Sequence, residues 1–198
     1  MADVLALPAD ADAAVVLREV RLATVWNVRG DPSRTPFVAA AASVLGLLLP
    51  LTPNTCANDA RGALLWLGPR SWLRVTGDVA RDDLDAARAA LNEAGGALFD
   101  VSASYVGWTV SGAAAARVLN RMCPLDLHPR AFAAGRCAQS LLGHVNALFC
   151  RPDESATFLV MVARSLAADA WRDLCAAAAT DGYRVAAAGP FGFAMRVG

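Results

Sequence analysis

The sequence predicts an α+β fold of two tandem split β-α-β halves. Two observations carry this. Segments with apolar residues at period two recur between segments with apolar residues three and four apart, the signatures of strands and helices respectively. The order strand, helix, strand, strand, helix, strand also runs through the first half and loosely repeats in the second. A chain of 198 residues suits one domain, or two small halves sharing a core. The expected division is a loose tail over 1–14 and a domain over 15–198, with halves at about 15–102 and 103–198.

Met1 to Asp12 is alanine and aspartate with Pro8, without periodicity. It lacks a basic start followed by an apolar run, so no secretory leader is expected in it. Glu19 to Val28 places Val20, Leu22, Thr24, Trp26 and Val28 at period two and predicts a strand. Pro36 opens a helix, where its missing N–H costs nothing. That helix is expected to run to about Leu49, stopped by Pro50 and Pro53. A polar loop through Asn54, Asn58 and Asp59 follows. Strands are predicted at Ala63–Leu67 and Trp72–Thr76, divided by Gly68-Pro69. Asp78 is the expected cap of the next helix, with Asp82, Asp83 and Asp85 in its early turns, where carboxylates complement the helix dipole. Leu84, Ala87 and Leu91 form its stripe and Gly95-Gly96 ends it. Ala97–Ser102 returns as strand.

The second half begins with a strand at Tyr105–Val110 that puts Val106, Trp108 and Val110 on one face. Ser111 is the expected cap of a helix reaching Met122. Strands follow at Cys137–Leu142, Val145–Cys150 and Thr157–Val162. Gly143 permits either a hairpin or one bent strand between the first two. Ser165 is the expected cap of a helix to about Ala178, striped by Leu166, Ala170 and Leu174, and Tyr183–Ala186 is a last strand.

Composition narrows the function. The net charge is zero, so no chain-wide attraction to nucleic acid or an anionic membrane is expected. Every basic residue other than histidine is arginine, which excludes a lysine nucleophile, a Schiff base and a phosphate-loop lysine. The apolar fraction of 56% and the mean hydropathy of +0.39 owe much to alanine. The longest apolar run, Phe37 to Leu49, is shorter than the ~20 residues a bilayer needs and reads as a buried helix. Five widely spaced cysteines, Cys56, Cys123, Cys137, Cys150 and Cys175, read as free thiols of a cytoplasmic protein.

Candidate chemistry competes with plainer readings. Cys123 and His128 are nucleophile and base by type, but no orienting third group or oxyanion donor accompanies them. His128, His144, Cys137 and Cys150 are metal ligands by type, in spacings that match no zinc motif. The aspartates Asp82, Asp83 and Asp85 read as a helix start rather than an acid–base pair. Arg164-Ser165 could seat an anion at a helix start or be an ordinary cap. No Gly-x-Gly-x-x-Gly pattern follows a strand. The tryptophans fall within predicted elements and read as core.

The most distinctive stretch is Cys123-Pro-Leu-Asp-Leu-His-Pro-Arg-Ala-Phe132. Pro124 and Pro129 stiffen it, and polar Asp126, His128 and Arg130 alternate with Leu125, Leu127 and Phe132. Two accounts fit. The loop presents Asp126, His128, Arg130 and Phe132 as a subunit interface, or it plugs its own domain.

With its flanks Asp100-Val101-Ser102 and Cys137-Ala138-Gln139-Ser140, this stretch resembles the gamma subunit of heterotetrameric sarcosine oxidase. Leu67-Gly68-Pro69-x-x-Trp72-Leu73, Val162-Ala163-Arg164-Ser165-Leu166-Ala167 and Pro50-x-x-Pro53-Asn54-Thr55 extend the likeness over Pro50 to Trp171. Ser140 stands where the family more often has threonine, and Leu166 where it has an aromatic. The resemblance implies a fold similar to the folate-binding module of the glycine-cleavage aminomethyltransferase. It implies a noncatalytic assembly subunit, partnered by alpha, beta and delta subunits, of the flavoenzyme that oxidises sarcosine to glycine. The products are hydrogen peroxide and formaldehyde or methylenetetrahydrofolate. It places FAD, FMN, NAD, tetrahydrofolate and zinc in the partners and no cofactor in this chain. The alternative is a stand-alone tetrahydrofolate-binding or one-carbon-transfer module.

Overall fold

The computed structural model describes residues 13–77 and 83–192. In chain order they form β1 (Val15–Arg21), β2 (Thr24–Arg29), α1 (Thr35–Leu45), β3 (Cys56–Asp59), β4 (Gly62–Gly68), β5 (Ser71–Thr76), α2 (Leu84–Glu93) and β6 (Ala97–Asp100). Then come β7 (Tyr105–Ser111), α3 (Ala115–Asn120), β8 (Arg136–Leu142), β9 (Val145–Arg151), β10 (Thr157–Ala163), α4 (Ala167–Ala179) and β11 (Tyr183–Pro190). The strands make two sheets, ordered β3-β4-β5-β2-β6 and β8-β9-β10-β7-β1-β11. The orders correspond strand for strand, except that β1 is inserted between β7 and β11. β1 runs antiparallel to β7 and parallel to β11. The fold is thus α+β with a repeated split β-α-β unit, as expected, but residues 15–21 sit in the sheet of the second half.

Burial explains the layering. One face of the five-stranded sheet presents Trp26, Val28, Leu64 and Trp72 to Phe37, Ala41 and Leu45 of α1 and to Ala87 and Leu91 of α2. One face of the six-stranded sheet presents Trp108, Val110, Phe149 and Val160 to α3 and to Ala170, Leu174 and Ala178 of α4. The remaining faces meet each other through Val25, Leu65, Leu73, Val75, Leu148, Leu159 and Met161. The result is four layers, helix–sheet–sheet–helix. Trp72 and Phe37 lie with ring centroids 5.9 Å apart, and Trp108 and Trp171 with theirs at 5.6 Å. Burying each large ring contributes about 1.5–3 kcal/mol.

Several elements differ from expectation for identifiable reasons. The single strand expected over Glu19–Val28 is two, because the chain changes sheets at Leu22-Ala23. The polar loop expected through Asn58 and Asp59 contains β3, whose hairpin to β4 is closed by Asp59. Its Oδ1 accepts the N–H groups of Arg61 and Gly62 at 3.0 and 2.9 Å. Helix α1 ends at Leu45 rather than Leu49, because Gly46 adopts the left-handed conformation (φ 69°) and its N–H bonds the carbonyl of Ala42. Ser111 caps nothing: the ladders of β7 with β1 and β10 hold it extended, and α3 starts at Ala115. Ser165 lies in a 3-10 turn before α4 and makes no side-chain cap. Leu166 is exposed, so Ala170, Leu174 and Ala178 form the buried stripe.

Asp83 caps α2 by accepting the N–H groups of Asp85 and Ala86 at 3.0 and 3.2 Å. Asp78, Asp82 and most of the expected tail lie outside the described residues. Gly143 (φ 62°) makes β8 and β9 a hairpin.

Candidate functional site

The distinctive loop is built from its two anchors inward. At its start the side-chain oxygen of Asn120, the last residue of α3, accepts the N–H of Leu127 at 2.9 Å. At its end the buried guanidinium of Arg151 donates from Nη1 to the carbonyl of Phe132 at 3.1 Å and from Nε to that of Ser155 at 3.4 Å. Between them Asp126 accepts the N–H of His128 at 2.9 Å. His128 Nδ1 accepts the N–H of Arg130 at 3.2 Å, which assigns the ring proton of the neutral form to Nε2. The carbonyl of His128 receives the N–H groups of Ala131 and Phe132 at 2.9 and 2.8 Å.

These bonds separate the predicted interface residues. Asp126, His128 and Arg130 are exposed. Phe132, expected among the surface anchors, is instead 6% exposed, and its ring lies 6.3 Å from that of Phe158 in the core of the second half. Leu127 is wholly buried in the same cluster, while Leu125 stays partly open. The loop is therefore an internal plug with a polar crest. Beneath the crest a groove of about 530 Å³ runs between α3 and the loop, lined by Ala116, Arg117, Asn120, His128, Pro129 and Phe158. Arg117 is not free to meet a ligand there alone, because it and Arg121 both bond the Asp181 carboxylate. The hydrogen bonds from Arg121 and then Arg117 hold that carboxyl below the usual carboxylate range.

The other candidates are dispersed. Cys123 is buried in the core, while His128 bonds its own loop. His144 faces Asp173 at 3.6 Å on the surface, apart from the cysteines. Arg164 spends its guanidinium on the carbonyls of Ala103 and Tyr105, at 2.7 and 3.0 Å. Among the described residues no three His, Cys, Asp or Glu side chains are positioned to hold a metal. No described helix is long and apolar enough to cross a membrane.

Two features escaped sequence reasoning. Leu48 and Leu51 stand 75% and 59% exposed in the loop after α1. The fold also gathers Cys56, Cys137 and Cys150 where edge strands β3 and β8 meet. There the N–H of Cys56 bonds the carbonyl of Gly135 at 2.8 Å, and that of Cys137 bonds the carbonyl of Asn54 at 3.0 Å. The Cys150 thiol donates to Cys56 Sγ at 3.2 Å. The Cys137 thiol donates to the carbonyl of Thr55 at 3.1 Å. The bond from Cys150 holds the Cys56 thiol below its ordinary value, whereas burial pushes Cys137 up to about 12.

Residues 29–180 match the family described as sarcosine oxidase, gamma subunit. The chain belongs to the sarcosine oxidase gamma subunit family. A relative named sarcosine oxidase subunit gamma, from Corynebacterium sp. (strain U-96), is 37% identical over 142 residues, 71% of this chain and 68% of the relative. The fold agrees. A chain of the heterotetrameric sarcosine oxidase from Corynebacterium sp. U-96, solved in complex with pyrrole 2-carboxylate, superposes with a TM-score of 0.78 at 31% identity, covering 87% of each chain. Aminomethyltransferase T of the glycine cleavage system from Bartonella henselae shares the fold more distantly. Its TM-score is 0.58 at 15% identity, over 89% of this chain and 48% of that one.

Proposed function

We propose that this chain is a noncatalytic assembly subunit of a heterotetrameric sarcosine oxidase, working in the cytoplasm beside alpha, beta and delta subunits. The observation that carries the reading is the family match over 29–180 together with the shared fold of a chain from a heterotetrameric enzyme. The loop geometry supports it. The residues with most chemical promise, Cys123 and His128, serve packing and a backbone turn and do not face each other as nucleophile and base. In this reading the partners carry FAD, FMN, NAD, tetrahydrofolate and zinc. The complex converts sarcosine to glycine with hydrogen peroxide and formaldehyde or methylenetetrahydrofolate.

The test is expression of the tagged chain in its source cell. The three other subunits should copurify with it, and the complex should be yellow and form peroxide from sarcosine. The chain alone should be colourless and inert with sarcosine. Flavin held stoichiometrically by the chain alone would overturn the reading. Titration with tetrahydrofolate tests the one-carbon alternative, which rests on fold, and fold alone does not carry function.

A further inference from the structure

The joint between β3 and β8 brings together thiols that are far apart in sequence. Cys56 belongs to the five-stranded sheet and Cys150 to the six-stranded one, and 3.2 Å separates their sulfurs. A disulfide needs a separation near 2.05 Å, so each sulfur has to move by well under ~1 Å. Cys56 allows this, since β3 is a short edge strand of four residues with a single neighbour in its own sheet. The two thiols also differ in access. Cys56 is half-buried, while Cys150 is fully enclosed.

We propose that Cys56 and Cys150 are a thiol–disulfide pair, Cys56 reacting first with a hydroperoxide and Cys150 resolving the product into a bond that staples the two sheets. In the first step the Cys56 thiolate attacks the terminal oxygen of ROOH. The O–O bond breaks, the alkoxide leaves and takes up the proton given up by Cys56, and Cys56 becomes a sulfenic acid. In the second step Cys150 sulfur attacks Cys56 sulfur. The S–O bond breaks, and hydroxide leaves with the Cys150 proton as water. Two thiols lose two electrons, and the hydroperoxide is reduced to an alcohol and water.

The surroundings assign these roles. The thiol of Cys150 already points at Cys56 and favours its thiolate. Cys150 itself is held up by that same bond and by burial, so it stays protonated until the sulfenic acid forms. Cys137, the third member, is turned away: its S–H bonds the carbonyls of Thr55 and Trp66 at 3.1 and 3.5 Å. Cys123 and Cys175 belong with the core on the helix side of the six-stranded sheet and do not compete.

Graded hydrogen peroxide is added to the full chain, remaining thiols are alkylated, and peptides are mapped by mass. Free thiols should fall from five to three, with Cys56 joined to Cys150, and dithiothreitol should restore them. Cys137 and Cys150 share the tryptic peptide 137–164, because Pro152 protects the Arg151 bond, so the same link in Cys137→Ala fixes the assignment. Cys56→Ser and Cys150→Ala should abolish it. Closing a loop of this length should raise the melting temperature by roughly 5–15 °C. Linkage through Cys137, over-oxidation of Cys56 beside a reduced Cys150, or no thiol loss would each overturn the proposal. Should Cys150→Ala fail to fold, the wild-type map decides alone.

Discussion

The loop over 46–55 leads from α1 into β3, and the loop over 121–135 leads from α3 into β8. They hold the same place in the two halves, and each carries a pair of prolines, Pro50 and Pro53 in one and Pro124 and Pro129 in the other. Their apolar residues divide differently: the first loop buries only Leu49, while the second buries both Leu127 and Phe132. The first loop exposes Leu48 and Leu51 and is pinned from below, where the indole N–H of Trp72 donates to the carbonyl of Pro50 at 2.9 Å. The second turns Leu127 and Phe132 inward and leaves Asp126, His128 and Arg130 outside. Proline stiffness therefore does not decide which way a loop faces. Each half takes in part of its loop: Leu49 joins Phe37 and Trp72 in the first core, and Phe132 lies beside Phe158 in the second.

The largest expected effect comes from the residue that fills the first half. Trp72→Ala should destabilise by about 4–5 kcal/mol, because it opens a core cavity and frees the Pro50 carbonyl. Phe132→Ala should cost about 3–4 kcal/mol. Denaturant melts of both variants measure the comparison directly. A Phe132→Ala cost under ~1 kcal/mol would mean that the second loop is no plug, since exposed sites rarely matter more.

Trp108, expected in the core, is buried and pairs with the buried Val160 across β7 and β10. Strands were legible wherever alternation was clean, as at Tyr105–Ser111. They were illegible where one apolar rhythm crossed a change of sheet, as at Leu22-Ala23, because periodicity reports burial and not the partner. β3 hid behind asparagine and aspartate, whose turn preference dominates short windows. The thiol site was invisible because it depends on two edge strands from different sheets meeting. Cys137 and Cys150 read correctly as strand residues, yet nothing local announces that Cys56 lies against them. For the loop, alternation could not say that Phe132 faces inward while Asp126, His128 and Arg130 face out.

On the proposed assembly role the two loops should also differ in binding. Leu48→Ser with Leu51→Ser should leave stability within about 0.5 kcal/mol, since both side chains are exposed. The pair should weaken copurification with the partner subunits about tenfold, if these two exposed leucines are apolar anchors of the contact. Arg130→Ala and His128→Ala should weaken it less, as contacts at a polar crest contribute less than apolar anchors. A larger loss from Arg130→Ala than from the leucine pair would move the main contact to the second loop.

The smallest effect concerns the turns that end α2 and α4. Gly95 and Gly182 close them in matching left-handed conformations, φ 79° and 76°. The residue before each differs: Ala94 in the first, Asp181 in the second. Asp181 ties the turn to Arg117 and Arg121 of the α3 segment, a tie that Ala94 has no side chain to make. Those guanidiniums lower the folded pKa of Asp181 from its ordinary 3.8. A carboxyl whose folded value is depressed adds stability that is complete above its unfolded value. That stability is lost as pH falls through the folded one. Wild type should therefore melt a little above Asp181→Asn at neutral pH. The gap should stay constant down to about pH 5 and close on further acidification, because protonated Asp181 and asparagine are alike in charge. A gap unchanged at pH 3 would show that Asp181 acts by shape or by neutral hydrogen bonds. The second half would then owe its helix tie to packing, as the first half does.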